Sequence, residues 1–165
     1  MKRIGLLSDT HGHIDERIIE HLSTCDEIWH AGDIGTIELL KTFETLKTFR
    51  AVYGNIDGQS IKANVPLIQR FNCEEVDIMI KHIAGYPGHY DFSILPILKA
   101  DPPKLLIAGH SHILKIMNDK QNNLLYINPG AAGRNGFHTI RTLVRFTIDK
   151  SDIRDMEVVE LGKRV

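Results

Sequence analysis

Apolar and polar positions alternate along the start of the chain in a pattern typical of a β-α-β unit. The apolar run Lys2–Leu7 predicts a strand, and the short run Glu27–His30 predicts a second one. Between them, isoleucines and Leu22 recur at helical spacing, which predicts a helix from about Asp15 to Ser23. The first strand and the second are therefore expected to be parallel neighbours.

The alternation continues and then stops. A helix is predicted at about Ile37–Leu46, with Thr36 as its N-cap, followed by a strand at Phe49–Tyr53. One more short helix is predicted at Ser93–Ala100. The remaining apolar runs predict strands at Leu67–Phe71, Val76–Lys81, Lys104–Ala108, Ile113–Met117, Leu124–Ile127, Thr139–Ile148 and Asp152–Val159.

Helices between strands early in the chain, and strands alone late in it, favour an α/β fold with two packed sheets. We expect a four-layer α/β/β/α sandwich of two mixed sheets, with helices covering the outer faces. No repeat, low-complexity tract or linker divides the 165 residues, so residues 1–165 are predicted to form a single domain.

The charge balance limits the classes of partner. Twenty Lys and Arg oppose 21 Asp and Glu, for a net charge of −1, so the broad basic field of a protein that wraps nucleic acid or binds acidic membranes is absent. The two cysteines, Cys25 and Cys73, are too few for a disulfide framework or zinc ribbon. The N-terminal apolar run is too short for a signal peptide, and we expect a cytoplasmic protein.

Side chains of metal-ligand type follow five of the predicted strands, at the point where each strand ends. They are Asp9, His11, Asp33, Asn55, His82, His110 and His112. Because loops at the carboxyl ends of strands converge on one crevice, we expect these side chains to meet. Glycine precedes Asp33, Asn55 and His110, which permits tight turns and close backbone approach.

Seven ligands are too many for one tetrahedral zinc and suit two metals if one carboxylate, most naturally Asp33, bridges them. The abundance of imidazole argues against magnesium and favours manganese, iron, zinc, cobalt or nickel. Taken singly, each of these sequence motifs also has an ordinary structural explanation, as a helix-capping turn, a turn dipeptide or a core histidine. The joint pattern at successive strand ends favours the metal site.

The order Asp9-x-His11, Gly32-Asp33, Gly54-Asn55, His82 and Gly109-His110-Ser111-His112 resembles the calcineurin-like metallophosphoesterase superfamily, in particular its small bacterial and archaeal phosphodiesterase branch. The resemblance implies an α/β/β/α sandwich with a two-metal site, manganese being the first expectation. It further implies one metal on Asp9, His11, Asp33 and His112, and another on Asp33, Asn55, His82 and His110.

Two positions depart from that family pattern. Many catalytic relatives carry a His directly after the Asn, where this chain has Ile56, so turnover of monoesters with poor leaving groups is expected to suffer. After His82 the usual Gly is replaced by Ile83, which makes His89 a weaker rival for the ligand position. The later Asn128-Pro129-Gly130 loop is similar to a family loop and is interpreted as mainly structural.

The leading hypothesis is a metal-dependent phosphodiesterase, in which two metals activate a hydroxide that attacks phosphorus. Asp33, Asn55 and His110 are its candidate catalytic residues. His13 and Asp57 are candidates for orienting the ligands, and Arg134 and His138 for contacting a phosphate, although a surface-loop role is the more ordinary explanation for the last two.

Other functions stay open. Within the superfamily the alternatives are a phosphomonoesterase, a nuclease, and a non-catalytic scaffold of the retromer type. A nuclease usually needs a basic groove, of which the balanced charge gives no sign. We expect a small phosphoester as the substrate, no membrane partner, and an oligomeric state compatible with a homo-oligomer.

Overall fold

The computed structural model describes residues 1–165 and contains twelve strands and four helices. The strands are β1 (Lys2–Leu7), β2 (Glu27–His30), β3 (Thr48–Ala51), β4 (Ile68–Cys73), β5 (Val76–Lys81), β6 (Gly85–Tyr86), β7 (His89–Tyr90), β8 (Leu105–Ile107), β9 (Leu114–Asp119), β10 (Leu124–Pro129), β11 (Ile140–Asp149) and β12 (Asp152–Lys163). The helices are α1 (Glu16–Ser23), α2 (Ile37–Leu46), α3 (Gln59–Lys62) and α4 (Leu95–Ala100).

Ten of the strands form two mixed sheets. The first has the order β12-β11-β1-β2-β3, in which β1, β2 and β3 are parallel and β11 and β12 are antiparallel to their neighbours. The second has the order β4-β5-β8-β10-β9, with β5, β8 and β10 parallel and an antiparallel strand at each edge. Strands β6 and β7 make a separate small hairpin.

Three hydrophobic clusters show how the layers stack. The central cluster joins the sheets face to face and includes Ile4 and Ile80, with Trp29 edge-on to Phe71 and Phe146. A second cluster packs α1 and α2 on the outer face of the first sheet, and a third packs α4 on the outer face of the second. The order of layers is therefore α/β/β/α, which confirms the fold predicted from the sequence.

Helix caps explain why the first two helices begin where they do. The Asp15 carboxylate accepts a hydrogen bond from the Ile18 amide at 3.0 Å, and the Thr36 hydroxyl accepts one from Leu39 at 3.2 Å. Asp15 is thus the N-cap of α1 rather than its first residue. None of the four helices has the length and apolar content needed to cross a bilayer. Both cysteines are buried and unpaired.

The sequence pattern missed three short elements: helix α3 and the two-residue strands β6 and β7. Each is too short to show a period of its own. Several predicted bounds also move by one to four residues, as at β12, which continues to Lys163, and at α4, which begins at Leu95. Element ends depend on tertiary contacts that the local pattern does not contain.

Candidate metal centre

The candidate ligands meet where strands of both sheets end. The structure brings together two groups of three side chains, and within each group the ligand atoms lie within 4.8 Å of one another. The first group is Asp9, His11 and His112, and the second is Asp33, His82 and His110. Asn55 joins the second group, because its Oδ1 lies 3.0 Å from His82 Nε2 and 3.0 Å from His110 Nδ1. All seven residues predicted as ligands therefore share one site.

Asp33 connects the two groups. Its Oδ2 lies 3.5 Å from His11 Nε2 and 3.3 Å from His82 Nε2, so one carboxylate oxygen faces an imidazole of each group. Asp9 has a similar position, with its Oδ1 3.2 Å from His112 Nε2 and 3.9 Å from His82 Nε2. One oxygen of each carboxylate therefore faces imidazoles of both groups.

Each of the two carboxylates has one oxygen held by the protein and one turned to the histidines. Asp9 Oδ2 accepts hydrogen bonds from the Ser8 hydroxyl at 2.6 Å and the His110 amide at 3.1 Å. Asp33 Oδ1 accepts one from the Ile56 amide at 3.0 Å. By contrast, Asp9 Oδ1 and His11 Nε2 are buried with no hydrogen-bond partner. Buried polar atoms without partners are costly, and a cation among them would satisfy both.

In the neutral rings of His82 and His112, Nδ1 carries the proton and the unprotonated Nε2 faces a carboxylate. His82 Nδ1 lies 2.7 Å from the Ala31 carbonyl oxygen, which only accepts, so this nitrogen carries the proton. His138 Nε2 donates to the Gly133 carbonyl at 2.9 Å, and its Nδ1 is then free to accept from His112 Nδ1 at 3.3 Å. Burial lowers the pKa of His138, which favours this neutral form.

The donor set fits divalent transition metals. Nε2 of His82 and of His112 lies 3.2 to 3.3 Å from a carboxylate oxygen, and either a proton or a metal ion between the two atoms makes this arrangement favourable. Imidazole nitrogens and carboxylate oxygens together suit manganese, iron, cobalt, nickel or zinc better than magnesium or calcium.

The electrostatics of the site also favour a positive charge. Burial alone would raise the pKa of Asp33, but hydrogen bonding and charge from His82, with the Ile56 amide, hold it below its usual value. Burial alone would lower the pKa of His82, but the carboxylates of Asp33 and Asp9 raise it above its usual value. The negative charges of Asp9 and Asp33 would stabilise either a proton or a metal ion at this place.

The ligand loops have a backbone conformation that few residues adopt. Nine residues other than glycine have positive φ, and five of them are candidate ligands with φ between 47° and 69°: Asp9, His11, Asp33, His110 and His112. Such clustering of left-handed residues is typical of functional sites. At Gly32 the φ is +102°, and a Cβ there would lie 2.6 Å from His82 Nδ1, so the expected close approach is real.

Two buried side chains, Asp57 and His30, connect the loops that carry the candidate ligands. Asp57 accepts hydrogen bonds from the amides of Ile34 and Gly35 in the Asp33 loop, and from Gly54 beside Asn55. His30 is fully buried; its Nδ1 accepts from the Gly32 amide at 3.1 Å, and its Nε2 lies 2.9 Å from the Thr10 hydroxyl. Asp57 therefore links the loops that carry Asp33 and Asn55, and its expected role in orienting them stays a prediction. His30 was missed because a histidine inside a strand carries no signal.

Other candidates lie elsewhere. His13 Nε2 pairs with the Asp15 carboxylate at 3.1 Å rather than with a ligand. Arg134 is exposed on its loop, and His138 contacts His112 rather than open space. His89 is exposed in β7 and belongs to neither donor group. The Asn128 amide donates to the Gly109 carbonyl at 2.9 Å, as suits a structural loop.

Two cavities flank the second donor group. One, of about 340 Å³, has Asn55 and His82 in its wall, and the other, of about 270 Å³, has His110 in its wall. Ile83 and Asp91 line both and form the partition between them. The exposed side chain of Ile56 follows Asn55 at the edge of the site.

Comparisons with known proteins identify the family. Residues 1–151 match the calcineurin-like phosphoesterase superfamily domain. A phosphodiesterase of Methanocaldococcus jannaschii is 29% identical, the match covering 78% of this chain and 82% of the relative.

Solved structures share the fold at lower identity. A Thermotoga maritima protein is 22% identical with a TM-score of 0.74, covering 98% of this chain and all of that one. Chaetomium thermophilum Vps29 in complex with a cyclic peptide is 15% identical with a TM-score of 0.69, covering 99% of this chain and 98% of that one. Both likenesses concern the fold alone.

Proposed function

The chain belongs to the calcineurin-like phosphoesterase superfamily, and we propose that it is a metal-dependent phosphodiesterase acting on a small phosphoester. The observation that carries the proposal is the complete donor set: two groups of carboxylate and imidazole ligands joined by Asp33 Oδ2. A named phosphodiesterase among the relatives supports the reaction class.

In this proposal Asp9, His11, Asp33 and His112 hold one ion, and Asp33, Asn55, His82 and His110 hold the other. Manganese is the first candidate, with nickel, cobalt, iron and zinc as alternatives. When bound, such ions neutralise phosphate oxygens and lower the pKa of a water molecule to near neutrality.

The protein's own residues position and orient the phosphate of the substrate. Asn55 and His110 are the exposed members of the donor set, so they face the substrate. The Asn55 carbonyl oxygen faces His82 and His110, which leaves its amide nitrogen to donate to a phosphate oxygen. In the overall reaction a water oxygen bonds to phosphorus, one P–O ester bond breaks, and the alcohol leaves with a proton.

The pair of cavities supports a diester over a monoester. A phosphate at the second donor group would have about 340 Å³ of space on the Asn55 side and about 270 Å³ on the His110 side. A diester has two organic arms and would use both spaces, whereas a monoester would use one.

The proposal is tested with metal-stripped protein to which Mn²⁺ is added back. Hydrolysis of bis(4-nitrophenyl) phosphate is measured beside that of the monoester, in the wild type and in His110→Ala. We expect metal-dependent diester turnover that the substitution abolishes. Failure of both esters with Mn²⁺, Ni²⁺, Co²⁺ and Zn²⁺ would overturn the proposal.

A non-catalytic binding function is the second candidate, favoured by the fold shared with a Vps29 that was solved with a cyclic peptide. Asp33→Asn separates the two. A catalyst loses diester turnover in this variant, whereas a scaffold shows no robust hydrolysis to lose.

A further inference from the structure

The larger cavity beside the site has a composition of its own. We call it the arm cavity and define it by Tyr53, Lys62, Leu67, Lys81 and Ile83, which line it together with Asn55 and His82. Its volume of about 340 Å³ lies within the range of small-molecule sites. Since two of its wall residues belong to the second donor group, a phosphoester there would extend directly into it.

Three of the residues that line the arm cavity are apolar or aromatic. Leu67 is 48% exposed and Ile83 is 37% exposed, although both are large aliphatic residues. The third is Tyr53, which contributes its ring. Apolar surface left open in a concave site is typical of contact with the organic part of a ligand.

The arm cavity also contains cationic groups. The buried ammonium of Lys81 already has partners, since it hydrogen-bonds to the Ser93 hydroxyl and lies 3.8 Å from Asp91 Oδ1. Lys62 forms no ion pair; its Nζ lies 5.3 Å from the centroid of the Tyr53 ring. Two lysines and one aspartate therefore line the cavity, and Lys62, which is exposed, has its charge available.

From this arrangement we propose that the arm cavity selects phosphodiesters in which one alcohol carries both an apolar or aromatic body and an anionic substituent. The body packs on Tyr53, Leu67 and Ile83, and the anionic group, a carboxylate or a phosphate, pairs with Lys62. This inference rests on the proposed diesterase function and adds the class of substrate to it.

Four 4-nitrophenyl diesters test it, differing only in the second arm: methyl, phenyl, 4-carboxyphenyl and 4-phosphonophenyl. On the Mn²⁺-loaded protein we expect kcat/KM to rise from methyl to phenyl, and about two- to fivefold further with either anionic group. The anionic arm with the higher kcat/KM shows whether the substrate's anionic group is a carboxylate or a phosphate. Lys62→Met keeps the alkyl chain over Tyr53 and should remove the second rise alone.

Matched controls separate the cavity from general effects. Leu67→Ser should reduce the preference for phenyl over methyl, while Leu46→Ala and Lys41→Met, which are exposed on α2 away from the cavity, should change neither ratio. Equal kcat/KM for all four diesters would overturn the inference and leave the diesterase function intact.

A binding measurement covers the case in which no diester is hydrolysed. Benzylphosphonate and 4-carboxybenzylphosphonate contain no P–O–C bond and cannot turn over. By calorimetry on the Mn²⁺-loaded protein, we expect the carboxylated ligand to bind about two- to fivefold more tightly, and the difference to vanish in Lys62→Met. Equal affinities in the wild type would overturn the inference whatever the protein catalyses.

Discussion

Single residues explain why the site favours a cation. In both Asp9 and Asp33, backbone or hydroxyl donors hold one carboxylate oxygen, and the other oxygen faces imidazole nitrogens. The convergence of these seven side chains could be predicted from the sequence because all of them occur at strand ends. Their left-handed backbone and the contacts behind them could not, since they depend on residues distant in the chain.

His138 shows such a contact, and its removal should weaken metal binding. Without its ring nitrogen, nothing in the protein fixes the proton on His112 Nδ1, and the Nε2 lone pair is no longer aimed at the site. We expect His138→Ala to lower Mn²⁺ affinity by about 10- to 100-fold, as measured by calorimetry. His89→Ala, an exposed histidine in neither donor group, is the control. Equal affinities in the two variants would show that His138 has no such role.

Ile56 is predicted to set the preference between diesters and monoesters. Its side chain is 45% exposed beside Asn55 and offers no proton to a leaving group. Ile56→His should raise kcat/KM for phenyl phosphate by about tenfold or more relative to the diester, because an added general acid assists a poor leaving group. Ile56→Gln, polar without that acidity, should not. If Ile56→His leaves the ratio of monoester to diester kcat/KM unchanged, Ile56 does not set the preference.

At the scale of elements, the loops after β2 and β3 act as one unit through Asp57. Its carboxylate accepts three backbone hydrogen bonds, at 2.8 to 3.1 Å, from both loops. Asp57→Ala leaves these amides without their acceptor and should lower the free energy of unfolding by about 2–4 kcal/mol, as measured by urea denaturation without metal. Asp152→Ala, at an exposed position, should change it little. A similar small effect in both would contradict the account.

The elements also show where prediction from sequence succeeds. Strands β1 and β2 and helix α2 have the predicted bounds because Lys2–Leu7, Glu27–His30 and Ile37–Leu46 each carry a clear period and end at turn residues. Helix α3 and the β6–β7 hairpin have no period to detect, yet they carry Lys62 and lie beside Ile83 in the walls of the cavities. The long periodic elements were therefore predictable, whereas these short ones were not.

Across the whole molecule, the site lies where both sheets end, beside the buried core. His30 occupies that core, and its burial lowers its pKa to about 4, against the opposing charge of Asp57. Because the unfolded chain binds this proton near pH 6.5 and the folded chain only near pH 4, the stabilisation is complete above pH 6.5 and is lost as the pH falls towards 4.

The expected loss over that range is about 2–3 kcal/mol for metal-free protein. Urea denaturation between pH 4.5 and 7.5 measures it. His30→Gln, which cannot gain the proton, should show a flatter pH dependence than the wild type over the same range. Parallel pH profiles for the two proteins would mean that His30 is not held neutral by burial.

The two-metal proposal is decided by the turnover of bis(4-nitrophenyl) phosphate when Mn²⁺ is added to metal-stripped protein in known ratio to the chain. With two donor groups joined by Asp33, we predict no turnover without metal and a rise that saturates at about two ions per chain. Asp33→Asn should abolish that rise. Turnover without added metal, or turnover that Asp33→Asn leaves intact, would contradict the account.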